Sequence, residues 1–235
     1  MISILISTRN RPQKIKNCIK FILKNYFKKF EIILIDQSTN SKTKKIVKKI
    51  KARKIRYLKL NNKGKSKALN LTLKKATEEI FAFTDDDCIV DKNWLKNIYQ
   101  SFQKNKNIVG VFGKVLPYRP QLNKNKVCPC TFLNNKKRVI SMPCYHAKNI
   151  GFGNNMAFRR NIFEEIGGFK EWLGAGSITL LMHLALLCLR VLLKDHKILY
   201  NPKVKVYHNR WLTKNQFKKP INIRHYCSMR KLYHL

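Results

Sequence analysis

Three consecutive carboxylates, Asp85-Asp86-Asp87, are the residues of this chain whose type and spacing point most directly to chemistry. They stand out because the chain has 12 acidic residues against 50 basic ones. Like charges at close range raise each other's pKa, so such a cluster is costly unless a cation binds to it. In an extended backbone Asp85 and Asp87 lie on one side, where both can hold a divalent cation that prefers oxygen ligands. The alternative is a solvated turn that caps a helix and is screened by neighbouring lysines.

A second set of possible metal ligands lies in a long loop that the sequence predicts over residues 117–149. Cys128, Cys130, Cys144 and His146 are of the types that bind zinc. Their Cys-Pro-Cys and Cys-Tyr-His spacings are tighter than the usual gap of two residues, so ordinary loop thiols are the simpler interpretation. The chain contains neither a mononucleotide phosphate loop nor a glycine-rich dinucleotide fingerprint.

The elements that must position the carboxylates alternate between strands and helices. Apolar runs predict strands over residues 2–6, 31–36, 55–60, 80–84 and 109–116, and helical spacing predicts helices after Pro12, over 42–51, over 65–75 and after a capping Asp91. This order is typical of an α/β protein with a mainly parallel sheet and helices on both faces. In such sheets ligands bind beyond the carboxyl ends of the strands. Thr8-Arg9-Asn10, Asp36-Gln37-Ser38 and the carboxylates all fall there.

A second block of elements follows the long loop. We expect a strand from Gly151 to Phe158, a helix over residues 161–166, a turn at Gly167-Gly168-Phe169 and a helix over 180–194. Two short strands, over 196–200 and 204–208, complete the predicted fold.

The formal net charge of +38 favours anionic partners. The basic residues are spread along the chain, which indicates solvated lysines, and we expect no specific nucleic-acid binding. The tail at residues 213–235 mixes basic and aromatic side chains, so it could dock on an anionic membrane, bind nucleic acid or form a solvated helix. The sequence has no evident export signal, its longest apolar run is shorter than the ~20 residues that span a bilayer, and its 7 cysteines are odd in number. We therefore expect a cytoplasmic protein, with association to a membrane surface as an open alternative.

An ordered set of motifs extends from Ile2 to about His208. It comprises Ser7-Thr8-Arg9-Asn10-Arg11-Pro12, Asp36-Gln37-Ser38, residues 62–70, Thr84-Asp85-Asp86-Asp87-Cys88 with Trp94-Leu95, residues 153–160, Gly167-Gly168-Phe169 with residues 173–176, and residues 187–190. Each motif alone is weak, but the ordered set resembles family 2 glycosyltransferases of the GT-A fold. The resemblance implies a Rossmann-like sheet in a domain over residues 1–212, with a nucleotide-sugar half at 1–116, an acceptor half at 117–212 and a basic tail at 213–235.

The same resemblance implies roles for residues of the first half. Thr8, Arg9 and Asp36 would line the nucleoside pocket, with Asp36 accepting a hydrogen bond from the base or ribose. Lys67 and Asn70 would lie near the diphosphate or the base. The donor would be a nucleoside diphosphate sugar, with UDP as the expected nucleotide.

For the metal, the resemblance implies that Asp85 and Asp87 form the family's Asp-any-Asp pair. Asp87 would bind Mn²⁺ or Mg²⁺ that bridges the diphosphate, and Asp85 or Asp86 would contact the ribose. His208 matches a position where some members place a further metal ligand, or it is a satisfied histidine at a strand end. The acceptor side would be shaped by Asn154, Asn155, Gly167 and Gly168.

The chain departs from the family where the catalytic base is expected. Members usually carry an acidic pair and a further Asp before the apolar-Arg segment at residues 187–190, and one of these acids removes the proton of the acceptor. The corresponding residues here are His183, Leu184 and Leu186, and residues 179–186 contain no carboxylate. Three explanations stay open: activity is lost, His183 or Glu171 acts as the base, or the sequence is locally corrupted. A His183 base predicts a pH profile that bends near the ~6.5 of imidazole. The alternative function is a non-catalytic member that binds nucleotide, glycan or a partner enzyme.

Overall fold

A nine-stranded sheet forms the centre of the computed structural model, which describes residues 1–143, 150–172 and 182–218. The strands are β1 (Ile2–Thr8), β2 (Phe30–Asp36), β3 (Ile55–Lys59), β4 (Ile80–Thr84), β5 (Cys88–Val90), β6 (Ile108–Pro117), β7 (Lys126–Val127), β8 (Arg138–Ile140), β9 (Asn155–Arg159), β10 (Lys197–His208) and β11 (Leu212–Thr213). The helices are α1 (Pro12–Leu23), α2 (Lys42–Ile50), α3 (Lys65–Lys75), α4 (Trp94–Gln103), α5 (Arg160–Ile166), α6 (Met182–Leu192) and α7 (Lys214–Lys218).

The sheet is mainly parallel, as predicted. Its order is β3-β2-β1-β4-β9-β6-β10-β5, with β8 paired to β10. Strands β1 to β4, β6 and β10 run in one direction, while β5, β8 and β9 run against their neighbours. Because β9 lies between β4 and β6, the two predicted halves of the domain share one sheet.

Helices cover both faces of this sheet, because its central strands are apolar on both sides. In β1, Ile4 and Ile6 belong to a buried cluster that includes Ile15 and Ile19 of α1. Leu5 belongs to the cluster on the opposite face, with residues of α3 and α6 such as Leu69 and Leu187. The predicted α/β fold class is confirmed.

Three local predictions need correction. The two strands expected over residues 196–208 form one strand, β10, in which the expected break is a register shift between Asn201 and Lys205. The loop over 117–149 contains β7, β8 and a short 3₁₀ turn at Pro120–Leu122, and the short strand β5 was not predicted at all. Asp91 does not cap α4 directly, because its Oδ1 accepts from the amide of Asn93, the residue before the helix.

The beginning of the predicted tail is attached to the domain, since Leu212–Thr213 pairs with Lys126–Val127 in a two-stranded ribbon. The rest of the tail, from residue 219, lies outside the described residues. None of the helices in the described ranges is long and apolar enough to cross a membrane.

Candidate functional site

The carboxyl ends of β1, β4 and β10 and the start of α3 meet around the three consecutive carboxylates. Thr8, the last residue of β1, donates its hydroxyl hydrogen to Asp86 at 2.7 Å. Lys65, the first residue of α3, places Nζ 2.5 Å from Oδ1 of Asp85. His208, the last residue of β10, places Nε2 3.4 Å from Oδ1 of Asp87.

Arg11 completes this arrangement of charges. Its Nη1 lies 3.0 Å from Oδ1 of Asp86 and 3.2 Å from Oδ2 of Asp87. Asp86 is 4% exposed and Asp87 is 6% exposed. Because these two carboxylates are buried and paired, the interpretation of the segment as a solvated turn is wrong.

The environment gives the two buried carboxyl groups, those of Asp86 and Asp87, very different pKa values. Burial and the charge of Asp87 raise the pKa of Asp86 to about 6, against the hydrogen bond from Thr8. Burial would also raise the pKa of Asp87, but its hydrogen bond and charge interaction with His208, together with Arg11, lower that pKa to about 2. Asp87 is therefore the carboxylate of the pair that stays ionised at any ordinary pH.

Asp87 and His208 bring together a carboxylate oxygen, the ligand that Mn²⁺ and Mg²⁺ prefer, and an imidazole nitrogen, a ligand typical of transition metals. Their facing Oδ1 and Nε2 atoms are 3.4 Å apart, a separation that two neighbouring ligands of one small cation adopt. Within the described ranges no three His, Cys, Asp or Glu side chains are already arranged around a metal position. Mg²⁺ commonly binds through one or two carboxylates plus the phosphates of a substrate, so this incomplete set fits a cation that arrives with a diphosphate.

The loops after β1 and β2 are tied together, which fixes the floor of the predicted nucleoside pocket. Asn10, at a φ of 54°, donates its amide hydrogen to Oγ of Ser38 and accepts from the amide of Thr39 through Oδ1. Asp36 is fully buried, and its two oxygens accept from the amide of Ser38 at 2.8 Å and the hydroxyl of Tyr57 at 2.6 Å. Asp36 thus lies beneath the loop surface, and its contact with a base or ribose stays a prediction.

The cations that contact the carboxylates are Arg11 and Lys65, to which the sequence argument gave no role, and the predicted places of Arg9 and Lys67 at the nucleotide stay predictions. Arg9 is exposed, while Arg11, which the sequence argument did not assign, contacts Asp86 and Asp87. Lys65 contacts Asp85, whereas Lys67 lies two residues further along α3. The signal that could have identified both residues is their position at the start of a helix, because Arg11 directly precedes α1 and Lys65 is the first residue of α3.

Asn70 holds a turn of the second half, and its predicted place near the diphosphate or the base stays a prediction. Its Nδ2 donates to the carbonyl oxygen of Phe169 at 2.8 Å, and its Oδ1 accepts from the amide of the same residue at 2.8 Å. A side chain at position 168 would collide with the side-chain amide of Asn70, since a Cβ there would lie 2.5 Å from Oδ1 of Asn70. Gly167, at a φ of 73°, occupies the left-handed region that favours glycine.

The predicted acceptor-side residues separate into two groups. Gly167, Gly168 and Glu171 border a cavity of about 490 Å³. Asn155 is a structural residue instead, which corrects its assignment: it is fully buried, accepts from Nε1 of Trp94 and donates to two backbone carbonyls. Asn154 is 4% exposed, and both ends of its amide lack a hydrogen-bond partner in the part of the chain that the structure describes.

Of the two base candidates, His183 lies within range of the charges of Lys65 and Asp85. It is 8% exposed, and burial together with the charge of Lys65, against that of Asp85, lowers its pKa to about 4. The pH bend expected near 6.5 is therefore wrong for this histidine. Leu184 packs in the apolar cluster beneath α6, whereas Glu171 is exposed and accepts a hydrogen bond from Asn70 at 3.2 Å.

Of the four proposed zinc ligands, the described residues include two, Cys128 and Cys130. Sγ of Cys128 lies 3.4 Å from Nδ1 of His208, a contact that was not predicted. Cys144 and His146 lie outside the described residues, and Cys130 forms no three-ligand group with the His, Cys, Asp and Glu residues that are described.

The chain belongs to glycosyl transferase family 2, since the family model matches residues 3–167. It is 24% identical over 161 residues to a glucosyl-dolichyl phosphate glucuronosyltransferase of Haloferax volcanii, covering 66% of this chain and 51% of that protein. It is 28% identical over 107 residues to the glycosyltransferase GlyG of Streptococcus pneumoniae, covering 44% and 36%. The chain thus spans about half or less of the length of these relatives.

Solved structures agree with this assignment at the level of the fold. TarS of S. aureus, in complex with UDP-GlcNAc, superposes with a TM-score of 0.75 at 17% identity, covering 98% of this chain and 65% of that one. The mannosyltransferase PcManGT of Pyrobaculum calidifontis, in complex with GDP-Man and Mn²⁺, superposes with a TM-score of 0.66 at 19% identity, covering 99% and 61%. These neighbours are GT-A glycosyltransferases, so the predicted GT-A fold is confirmed.

Proposed function

We propose that this chain is an inverting glycosyltransferase that takes a sugar from a UDP-linked donor in the presence of Mn²⁺ or Mg²⁺. The observation that carries the proposal is the buried carboxylate cluster at the carboxyl edge of the sheet, with Arg11, Lys65 and His208 around it. A nucleoside diphosphate sugar accompanies the divalent cation in the PcManGT complex. The acceptor we propose is a hydroxyl of a glycan or lipid-linked glycan in cell-surface glycan synthesis.

Each residue has a task in this proposal. Asp87 and His208 would hold the cation, and Asp85, which is paired with Lys65, would reach it through water or after turning away from that lysine. The cation would neutralise charge on the departing diphosphate. Lys65 and Arg11 carry positive charges that can turn from the carboxylates to phosphate oxygens, where charge-assisted hydrogen bonds are strong.

Removal of the acceptor proton would fall to His183 in this proposal. His183 is neutral at pH 7 because its pKa is lowered to about 4, so its imidazole can accept a proton. A base with so low a pKa is a poor match for neutral conditions, since catalysis is best when the pKa lies near the working pH. The same observation favours the second candidate function, a member of the family that binds nucleotide or glycan without efficient transfer.

Metal-dependent nucleotide binding tests the donor site. UDP titrated into the protein with Mn²⁺, with Mg²⁺ and with chelator should bind only when a cation is present, and Asp87→Ala should abolish that dependence. Glu79→Ala is the matched control, because Glu79 is an exposed carboxylate at the opposite end of β4. Equal UDP affinity with and without chelator would contradict the proposal.

Turnover then separates the two candidate functions. A panel of UDP-sugars and GDP-sugars incubated with Mn²⁺ should give nucleotide release with one UDP-sugar if the chain is an enzyme. Metal-dependent binding without release above the buffer rate would favour the non-catalytic member. Preference for a GDP-sugar would keep the enzyme and reject UDP as its nucleotide.

A further inference from the structure

His208 has a different partner at each of its two ring nitrogens. Nε2 faces Oδ1 of Asp87 at 3.4 Å, and Nδ1 faces Sγ of Cys128 at 3.4 Å. His208 as a whole is 3% exposed, so both contacts are made in a buried setting. The two nitrogens of an imidazole point away from each other, so the thiol lies behind the ring as seen from the carboxylates.

The thiol of Cys128 can serve both as a donor and as an acceptor at this position. Its Sγ is 3.5 Å from the backbone carbonyl oxygen of His208, to which the S–H can donate. The same sulfur can then accept a hydrogen bond from Nδ1–H of the ring. When a cation displaces the proton that Nε2 directs at Asp87, this pairing at Nδ1 leaves the lone pair on Nε2 for the cation.

The chain holds Cys128 at this place through a small ribbon. Cys128 directly follows β7, and β7 pairs with β11, which begins shortly after His208. The backbone next to the histidine is fixed as well, because the amide of Asn209 donates to the carbonyl oxygen of Asp87 at 2.8 Å. The contact between thiol and imidazole is thus supported from both sides.

We propose that Cys128 is a positioning residue for metal binding, which orients His208 and fixes the tautomer whose Nε2 coordinates the cation. The inference rests on the proposed function, because it takes His208 as a ligand together with Asp87. Histidines that bind metals almost always donate their other ring N–H to a carboxylate, a carbonyl or water, and here a thiol occupies that place. Removal of such an outer partner typically weakens metal binding by about 10–100-fold.

The test is a double-mutant cycle on the affinity for Mn²⁺ in the presence of UDP, with free Mn²⁺ followed by electron paramagnetic resonance. Cys128→Ala should weaken Mn²⁺ binding by roughly 10–100-fold, and Cys128→Ser should recover most of the loss, because a hydroxyl can also accept from Nδ1–H and donate to the carbonyl. In a His208→Ala background, Cys128→Ala should cause no further loss. Cys130→Ala, which removes a thiol of the same loop that is not hydrogen-bonded to His208, should have a smaller effect than Cys128→Ala.

The outcomes distinguish the two proposals. Equal Mn²⁺ affinity of the wild type and Asp87→Ala would overturn the proposed metal site itself. Weaker binding in His208→Ala together with unchanged binding in Cys128→Ala would leave that site standing and overturn the role of Cys128. An equal further loss when Cys128→Ala is added to His208→Ala would also overturn it, because the thiol would then act on the general structure. The melting temperature of each variant without metal identifies any that fail to fold.

Discussion

An Asp at position 184 should strongly destabilise the protein, whereas an Asp at position 183 should be tolerated. Leu184 is 6% exposed and packs in the apolar cluster beneath α6. Its Cδ2 lies close to Gly153, since a Cβ built on that glycine would be 3.6 Å away. Removing a buried leucine side chain costs about 2–5 kcal/mol. Leaving a buried carboxyl group without a partner costs about 1–3 kcal/mol more. The sum, roughly 3–8 kcal/mol, is comparable with the entire unfolding free energy of a typical domain, about 5–15 kcal/mol.

Position 183 has a different environment. Among the charges that act on His183, Lys65 lowers its pKa, which means that the local field of this lysine disfavours positive charge and favours a carboxylate. Burial is the largest cause that lowers the pKa of His183, and burial disfavours a carboxylate as well as an imidazolium. Asp85 also disfavours a carboxylate at position 183, whereas Lys65 places a cation within range of its charge. As a general base, such a carboxylate could raise the rate of transfer by about 10²–10⁴.

Thermal unfolding and a transfer assay together check this pair of variants. Leu184→Asp should lower the melting temperature by roughly 10 °C or more, since a protein of this size loses about 2–4 °C per kcal/mol. His183→Asp should melt near the wild type and transfer faster, and His183→Asn is the control of similar shape without a base. A well-folded Leu184→Asp with raised transfer would refute the reasoning, because α6 would then present position 184 to the donor.

Three further predictions follow from the site and the core. If His183 is the base in the wild type, the rate of transfer should fall as the pH falls through about 4, the value to which burial lowers its pKa, and His183→Ala should lack this limb of the pH–rate profile. In metal-free protein, burial lowers the pKa of His208 but its hydrogen bond to Asp87 helps to raise it to about 9, above the ~6.5 of the unfolded state. This interaction stabilises the fold below pH ~6.5 and the stabilisation is lost as the pH rises through 9, so urea unfolding with chelator should show a decline that Asp87→Asn removes. Asn155→Ala should lower the free energy of unfolding by about 3 kcal/mol in chemical denaturation and leave the acceptor KM unchanged, because it leaves Nε1 of Trp94 and two carbonyls unpaired.

Most of the fold could be predicted because its strands and helices are determined by patterns within short stretches of the sequence. Each of β1 to β4 is an apolar run bounded by polar turns, and the helices between them show a regular apolar spacing. The antiparallel insertion of β9 could not be predicted, since its place depends on pairs such as Phe83 with Met156 that are distant in sequence. The strand β5 has three residues, too few for a periodicity to be visible.

The site was predictable in outline for a related reason. Parallel strands end at one edge of the sheet, so the polar residues after β1 and β4 had to lie close together. Which cation reaches which carboxylate depends on the phase of α3 and on the approach of the chain to α1, so the contacts of Lys65 and Arg11 with the carboxylates could not be predicted. The contact of Cys128 with His208 joins residues separated by 80 positions and has no signal in the sequence.

The charges of the cluster give a physical reason for a cation and a nucleotide to bind together. Three carboxylates are balanced by Arg11, Lys65 and the protonated His208, so the site is near neutrality without ligands. A divalent cation alone would leave the site with excess positive charge, and the doubly negative diphosphate of a nucleotide sugar alone would add to the field of the carboxylates. Bound as a pair, their charges cancel to within the one proton that His208 releases when it binds the cation. In a buried site the Coulomb energy of an uncancelled charge is several-fold larger than in water. Under the proposed function, the metal dependence of UDP binding is therefore a consequence of how few acidic groups the chain has and of where it places three of them.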